Sequence, residues 1–315
     1  FTKTIALMKT WLVNLFLFFF SIAMWAQTIP IITPNSATAI KTTEAQSFDA
    51  KHYEQYMNSR YTLFTHERNY FLPISYVANP TKDLYPTAKA FEPNNQNKYY
   101  SNTEAEFQIS FFLPLLRKIS IFGSDWDLLF SYTHHAWWQL YNGAWSRPFR
   151  ETNYTPEIFI RQIDPNSNYD IFGLKALGYD LGYVHESNGQ IQILSRSWNR
   201  LFARAYLVSD QAALILNAWM KTPETSSDDN ADIQIYKGLG SIEFQKTFGP
   251  HTVEVEFPMA AKPGVELRYS YPWKEGLRWF VDIKYGYGQS LIEYDIETKR
   301  IALGFTLENF LDKKD

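Results

Sequence analysis

A repeated period of two constrains this chain more than any other feature. At 299–309, Ile301, Leu303, Phe305 and Leu307 share one parity, while Arg300, Thr306 and Glu308 take the other. At 277–287, Leu277, Trp279, Val281, Ile283, Tyr285 and Tyr287 oppose Arg278, Asp282 and Lys284. The stretches 265–271 and 252–257 repeat the pattern, with Val265, Leu267, Tyr269 and Tyr271 against Glu266, Arg268 and Ser270, and Val253, Val255 and Phe257 against Thr252, Glu254 and Glu256. Successive side chains of a strand point to opposite faces, so each segment has one apolar and one strongly polar face. Composition agrees: 45 % of residues are hydrophobic and 17 % aromatic. Mean hydropathy is nevertheless negative. Apolar and polar residues are therefore finely mixed, and so much apolar content excludes a disordered chain.

Charge and cysteine content remove further classes. Thirty basic residues against 33 acidic ones give a net charge of −3, without the field that non-specific nucleic-acid binding needs. With no cysteine, disulfides, thiolate metal sites and a cysteine nucleophile are all excluded.

A soluble sandwich also alternates, but two features favour a membrane barrel. The polar faces carry charges of both signs, as a packed polar lumen would. The apolar faces end in Trp and Tyr, as in the aromatic girdles of outer-membrane barrels. Segments of about ten residues also have the length of tilted spanning strands. Twelve are predicted, near 67–77, 103–113, 125–139, 150–161, 170–186, 196–209, 211–221, 233–247, 250–258, 263–272, 277–288 and 299–309. An even number closes into an all-β, twelve-stranded antiparallel transmembrane β-barrel that leaves no edge in lipid. Segments 78–102 and 222–232 are expected as loops. Arg200, Arg204, Arg268 and Arg278 are expected to pair with Glu254, Glu256 and Glu266 inside a plugged lumen.

The N-terminal stretch reads as an export signal. Lys9 precedes the apolar run of KTWLVNLFLFFFSIAMWA at 9–26, with small residues at Ala23 and Ala26. The expected organisation is a signal peptide at 1–26 with its natural start at Met8, and an irregular segment at 27–66 with one short helix near His52–Tyr61. The barrel follows at 67–310, with a tail at 311–315.

The chemistry lies at 178–207, GYDLGYVHESNGQIQILSRSWNRLFARAYL. His185 and Ser187 share parity with Tyr179, Leu181 and Tyr183, so both are expected to point outwards, towards lipid. Asn199 shares parity with Leu201, Ala203, Ala205 and Leu207, and a turn near Asn188–Leu194 would return it beside His185. Polar groups on such a face are costly unless they bond one another or act. A serine hydroxyl needs a base to become a nucleophile, and a histidine base needs an acceptor to fix its tautomer. Ser187, His185 and Asn199 supply those three parts.

The run His185-Glu186-Ser187-Asn188-Gly189, followed by Ser195-Arg196-Ser197-Trp198-Asn199-Arg200, resembles the signature of the outer-membrane phospholipase A family. Trp137-Trp138-Gln139-Leu140, Pro148-Phe149-Arg150-Glu151-Thr152-Asn153-Tyr154 and Gly286-Tyr287-Gly288-Gln289-Ser290-Leu291-Ile292 extend the likeness. The resemblance implies an exported twelve-stranded barrel of the cell outer membrane that hydrolyses acyl esters of phospholipids, with calcium and homodimerisation required for activity. By position it implies Ser187 as nucleophile, His185 as general base and Asn199 as the residue orienting it. Calcium in the active dimer falls on Ser195, on the Gln190 carbonyl and on Ser146 from the partner subunit. A second calcium position, linked to the inactive monomer, falls on Asp229. The Gly189 amide and a calcium-bound water would form the oxyanion hole.

Three positions depart from the family pattern. Gln190 replaces a residue that is often basic, a change that a backbone ligand tolerates. The chain runs past the aromatic Phe310. His134 stands where the family places a glutamine in its dimer contact. His134 and His135 are adjacent, so they face opposite sides of a strand, and His135 is expected to be an ordinary polar surface residue. Without the resemblance, Asp228 and Asp229 read as solvated loop residues. The competing function is a non-catalytic barrel, a porin or structural protein. Placement separates the two, since the residues that serve a porin line its lumen.

Overall fold

The computed structural model describes residues 54, 57–58, 63–80, 101–121, 123–191, 194–223, 228–274 and 276–307. The expected signal peptide, the tail and most of the segment 27–66 lie outside these residues; of the helix expected near 52–61, residues 54 and 57–58 are described, and the Asn58 amide donates to the Glu54 carbonyl at 3.1 Å, the i to i−4 bond of a helical turn.

Fourteen strands occur among the described residues: β1 Phe64–Thr65, β2 Tyr70–Val77, β3 Thr103–Ile121, β4 Ser124–Trp138, β5 Phe149–Ile163, β6 Asp170–Ile171, β7 Leu174–Ser187, β8 Ser197–Val208, β9 Ala212–Lys221, β10 Gly240–Phe248, β11 His251–Pro258, β12 Gly264–Lys274, β13 Leu277–Gly286 and β14 Thr298–Leu307. The two-residue strands β1 and β6 only extend β3 and β7. The other twelve form one antiparallel ring, in which β2 pairs with both β14 and β3, and β3 pairs onwards with β4. The barrel is closed, and no spanning strand is left with an unpaired edge.

Several boundaries differ from the sequence expectation. The segment expected as a strand at 233–247 begins instead with a helix, α1 Gln234–Lys237, and its strand starts at Gly240. Ile233, at the start of α1, is fully buried, so its apolar character serves a loop cluster rather than a strand face. The third strand does not stop near 113 but continues to Ile121, through register shifts at Pro114–Leu116 and Leu116–Ile119 that break the simple alternation. Residues 170–173 form β6 and a turn, and residues 67–69 precede β2.

Side chains alternate around the ring. In β14, Arg300, Ala302 and Thr306 are buried, whereas Ile301, Leu303 and Leu307 are exposed on the outer face. The lumen is filled by paired charges. Arg161 donates to both Asp180 oxygens at 2.7 and 2.8 Å. Arg300 joins Glu106 and Asp282, and Arg68 pairs with Glu254. Arg268 does reach Glu256 and Glu266, but three expected pairings are different. Arg200 pairs with Glu186, and Arg204 lies 3.4 and 3.5 Å from Asp180 and Glu157. Arg278 donates to Ser270 Oγ, Thr252 Oγ1 and the Pro250 carbonyl. Across the lumen Arg204 reaches past β7 to Glu157 on β5, and Arg278 past β12 to Thr252 on β11, where hydroxyls and a carbonyl are the acceptors on offer. His135 is also corrected: it points inwards, its Nε2 2.8 Å from Glu106 Oε1 and its ring 3.8 Å from that of Trp137. The lumen holds a cavity of about 340 Å³.

The connections are asymmetric. One barrel end carries the short connections that follow β3, β8, β10 and β12, together with the β6 hairpin. The other end carries the connections that follow β2, β4, β7, β9, β11 and β13, which, with 259–263 the shortest of them, are longer than any at the first end except the β6 hairpin. Short turns at one rim and long loops at the other are typical of outer-membrane barrels. The candidate site lies at the long-loop end.

Candidate active site on the outer face of one hairpin

The site is built by the β7–β8 hairpin. Register sets His185 directly opposite Asn199 and Ser187 opposite Ser197. Alternation turns Val184 and Glu186 inwards, where both are buried, and leaves Tyr183, His185 and Ser187 on the outer face. His185 Nδ1 lies 2.8 Å from Asn199 Oδ1. A side-chain amide oxygen can only accept, so the pairing assigns the proton to Nδ1 and leaves Nε2 as the basic nitrogen. Ser187 lies two residues along the same face, about 6.6 Å from His185 between Cα atoms for an extended strand. Among the described residues no hydrogen bond joins Ser187 to His185. Such bonds are often loose until a substrate is bound.

The loop after Ser187 is held by Asn188. This residue is 2 % exposed. Its Oδ1 accepts from the amides of Gln190 and Arg196 at 3.2 and 3.0 Å, and its Nδ2 donates to the Leu194 carbonyl at 2.9 Å. This turn carries Gly189 into the left-handed region at φ +63°, and a Cβ there would lie 3.0 Å from Tyr154 Cε2. Tyr154 is the β5 partner of Ser187, and its ring meets His134 edge-on at 5.1 Å. The pattern of alternation had not singled out Tyr154, because an outward tyrosine looks like any other girdle residue.

The residues expected to hold calcium are placed as follows. Exposed Gln190 and half-buried Ser195 belong to the loop after β7. Ser146 is exposed in the β4–β5 connection, with φ +56°, just after the 3₁₀ turn Gly143–Trp145. That connection is at the same barrel end. Asp229 is exposed in the β9–β10 connection, beside Asp228, whose carboxylate accepts from Lys221 at 2.7 and 2.9 Å. His134 lies on the outer face of β4, stacked on Phe107 at 5.8 Å.

Behind the hairpin, on its inner face, the packing is dense. Trp198, Ile233, Leu291 and Tyr294 form a buried cluster against which Trp219 and Tyr236 pack. The Ser197 amide donates to Asn230 Oδ1 at 3.1 Å, and the Tyr294 hydroxyl donates to Asp232 at 2.5 Å. Burial, reinforced by that bond, holds the Tyr294 hydroxyl above the usual phenol range. Glu186 accepts from Trp198 Nε1, Arg200 Nη2 and Lys237 Nζ at 2.8, 2.8 and 2.9 Å. Its inward parity was legible in the sequence, but its partners were not, since Lys237 comes from α1.

Fold and site together define an outer-membrane-type barrel with a serine, histidine and asparagine grouped on its outer surface, residue types that serve serine hydrolases. Residues 47–307 match the family model described as phospholipase A1, and the chain belongs to that family. It is thus a phospholipase, which sets aside the non-catalytic alternative. It is 32 % identical over 252 residues to phospholipase A1 of Proteus vulgaris, covering 79 % of this chain and 82 % of that one. With phospholipase A1 of Escherichia coli K12 it shares 30 % identity over 305 residues, 96 % of this chain and 98 % of the relative. The solved outer membrane phospholipase A of Escherichia coli superimposes with a TM-score of 0.71 at 29 % identity, covering 81 % of this chain and 97 % of that one. The Salmonella typhi outer membrane phospholipase dimer with bound calcium gives the same TM-score and identity over 82 % and 97 %.

Proposed function

We propose that this chain is a calcium-dependent phospholipase of the cell outer membrane, exported by a signal peptide, which hydrolyses acyl esters of phospholipids and lysophospholipids on the lipid-facing surface of its barrel. The observation that carries this reading is the 2.8 Å bond from His185 to Asn199, with Ser187 beside it on the same face. Ser187 Oγ attacks the ester carbonyl carbon while His185 Nε2 takes its proton. Asn199 fixes the ring and its tautomer as a neutral counterpart of the usual aspartate. The Gly189 amide is the donor to the carbonyl oxygen as that oxygen becomes negative. His185 then gives the proton to the departing lysophospholipid alcohol, and water, activated by the same imidazole, releases the fatty acid.

The hydroxyls of Ser195 and Ser146 and the Gln190 carbonyl make an all-oxygen donor set, which suits calcium. Ser195 and Gln190 share the loop after the nucleophile, and Ser146 would come from a partner subunit, so the active form is a homodimer. Bound calcium would supply positive charge beside the developing oxyanion. Asp229 would serve a separate calcium position in the monomer, and His134 would lie in the dimer contact. The test is fatty-acid release by detergent-refolded protein from phospholipid micelles. Release is expected with calcium, and its persistence in excess chelator would contradict the calcium dependence.

A further inference from the structure

We propose that Glu186 is a positioning residue of the catalytic hairpin, fixing the nucleophile and base from inside the barrel. The inference rests on the catalytic assignment of Ser187 and His185 above. Glu186 lies between them in sequence, yet its side chain points into the lumen and cannot touch a substrate bound outside. It is 8 % exposed and lines the lumenal cavity. Its Cα pairs with that of Trp198, which lies between Ser197 and Asn199 on β8. The carboxylate gathers three donors from two elements. Trp198 and Arg200 flank Asn199 on β8, and Lys237 comes from α1 in the β9–β10 connection.

The geometry gives these contacts a specific consequence. In a strand, a residue fixed on one face also fixes the direction of both its neighbours on the other. Glu186 tied to Trp198 and Arg200 pins the rotation of β7 against β8 at the one place where His185 must meet Asn199. The Arg200 guanidinium lies 3.8 Å over the Trp198 ring, so the two β8 partners also hold each other. Lys237 ties the same carboxylate to the loop that holds the hairpin end through Asn230 and Ser197. Charge-assisted hydrogen bonds away from water have the strength for this task. The other lumenal ion pairs hold the barrel together, whereas this one sets the orientation of the reacting groups.

The test measures kcat, KM and the heat-modifiable folded band for refolded full-length variants on phospholipid micelles with calcium. Glu186→Gln keeps the shape but loses the charge, and should lower kcat about ten- to hundredfold, the scale expected for ångström-level misplacement. KM should stay within about twofold, because ground-state binding is untouched. Lys237→Met should lower kcat less, and Glu256→Gln, which removes a lumenal carboxylate elsewhere, should leave it unchanged. Combined with Asn199→Ala, Glu186→Gln should add less than its separate effect, since both act through the same imidazole. A wild-type kcat per folded molecule in Glu186→Gln would overturn the inference. So would equal losses in Glu256→Gln, or fully multiplicative losses with Asn199→Ala. If Glu186→Gln does not refold, an unchanged kcat in Lys237→Met overturns it instead. Turnover surviving in Ser187→Ala would instead refute the catalytic assignment itself, which distinguishes the two failures.

Discussion

His185 Nδ1 and Asn199 Oδ1 face each other at 2.8 Å across the β7–β8 ladder, as direct register partners. The sheet itself thus supplies the orientation that many hydrolases build from distant loops. An amide oxygen carries no charge, so it fixes the tautomer but stabilises the imidazolium less than a carboxylate would. Asn199→Ala should therefore lose less activity than His185→Ala. We expect the histidine variant to lose about 10²–10⁴-fold in kcat, the usual contribution of a general base, and the asparagine variant to retain measurable turnover. Steady-state kinetics on both, with equal folded fractions, settles the comparison.

Gly189 makes a second prediction. With φ +63° and a Cβ position 3.0 Å from the Tyr154 ring, an alanine there meets both backbone strain and a tight contact. The left-handed conformation alone costs about 1–2 kcal/mol. Because the loop can relax, Gly189→Ala should displace the amide proposed as the oxyanion donor and cut kcat, leaving barrel assembly intact. Reaction of Ser187 with a fluorophosphonate, which needs the same donor, should slow in parallel.

The lumen and the site should respond differently to damage. Arg161 is 3 % exposed and donates to Asp180 through both contacts already described. Removing one partner of such a buried pair typically costs about 3–5 kcal/mol. Arg161→Met should lower the urea midpoint of unfolding while leaving turnover per folded molecule near wild type, because its partners Asp180 and Tyr206 lie along β7 and β8 away from His185 and Asn199.

These contrasts show what the sequence carried. Alternation revealed the strands and also the outward side of His185, Ser187 and Asn199, because a slip by one residue would turn every side chain over. It failed where local pattern and long-range packing part company. Ile233 has the look of a strand residue, yet it buries itself beneath the hairpin behind α1. His135 seemed an ordinary surface residue until its inward side met Glu106. Parity puts Arg200 and Arg204 in the lumen, but their partners, such as Glu157 two strands from Arg204, depend on a barrel curvature that parity does not carry. Glu186 falls inwards by the same rule, although its donors come from elements that only the closed barrel brings together.

Calcium and dimerisation should prove to be linked. If Ser146 of the partner subunit completes a site begun by Ser195 and Gln190, calcium binds the dimer better than the monomer and shifts the equilibrium towards it. Cross-linking in detergent should give more dimer as calcium rises, and chelator should reverse it. His134, stacked on Phe107 and met edge-on by Tyr154, lies on the outer face of β4, the position proposed for the dimer contact. Its replacement by lysine should lower dimer yield by placing like charges across a twofold axis.

The most direct test of a lipid-facing serine hydrolase is fatty-acid release by Ser187→Ala, measured beside wild type in phospholipid micelles with calcium. Wild type should release fatty acid, and the variant should fall to the uncatalysed background while its heat-modifiable folded band stays unchanged. A correctly folded Ser187→Ala protein that turns over phospholipid at the wild-type rate would contradict the assignment of the nucleophile, and with it the site on the outer face of the β7–β8 hairpin.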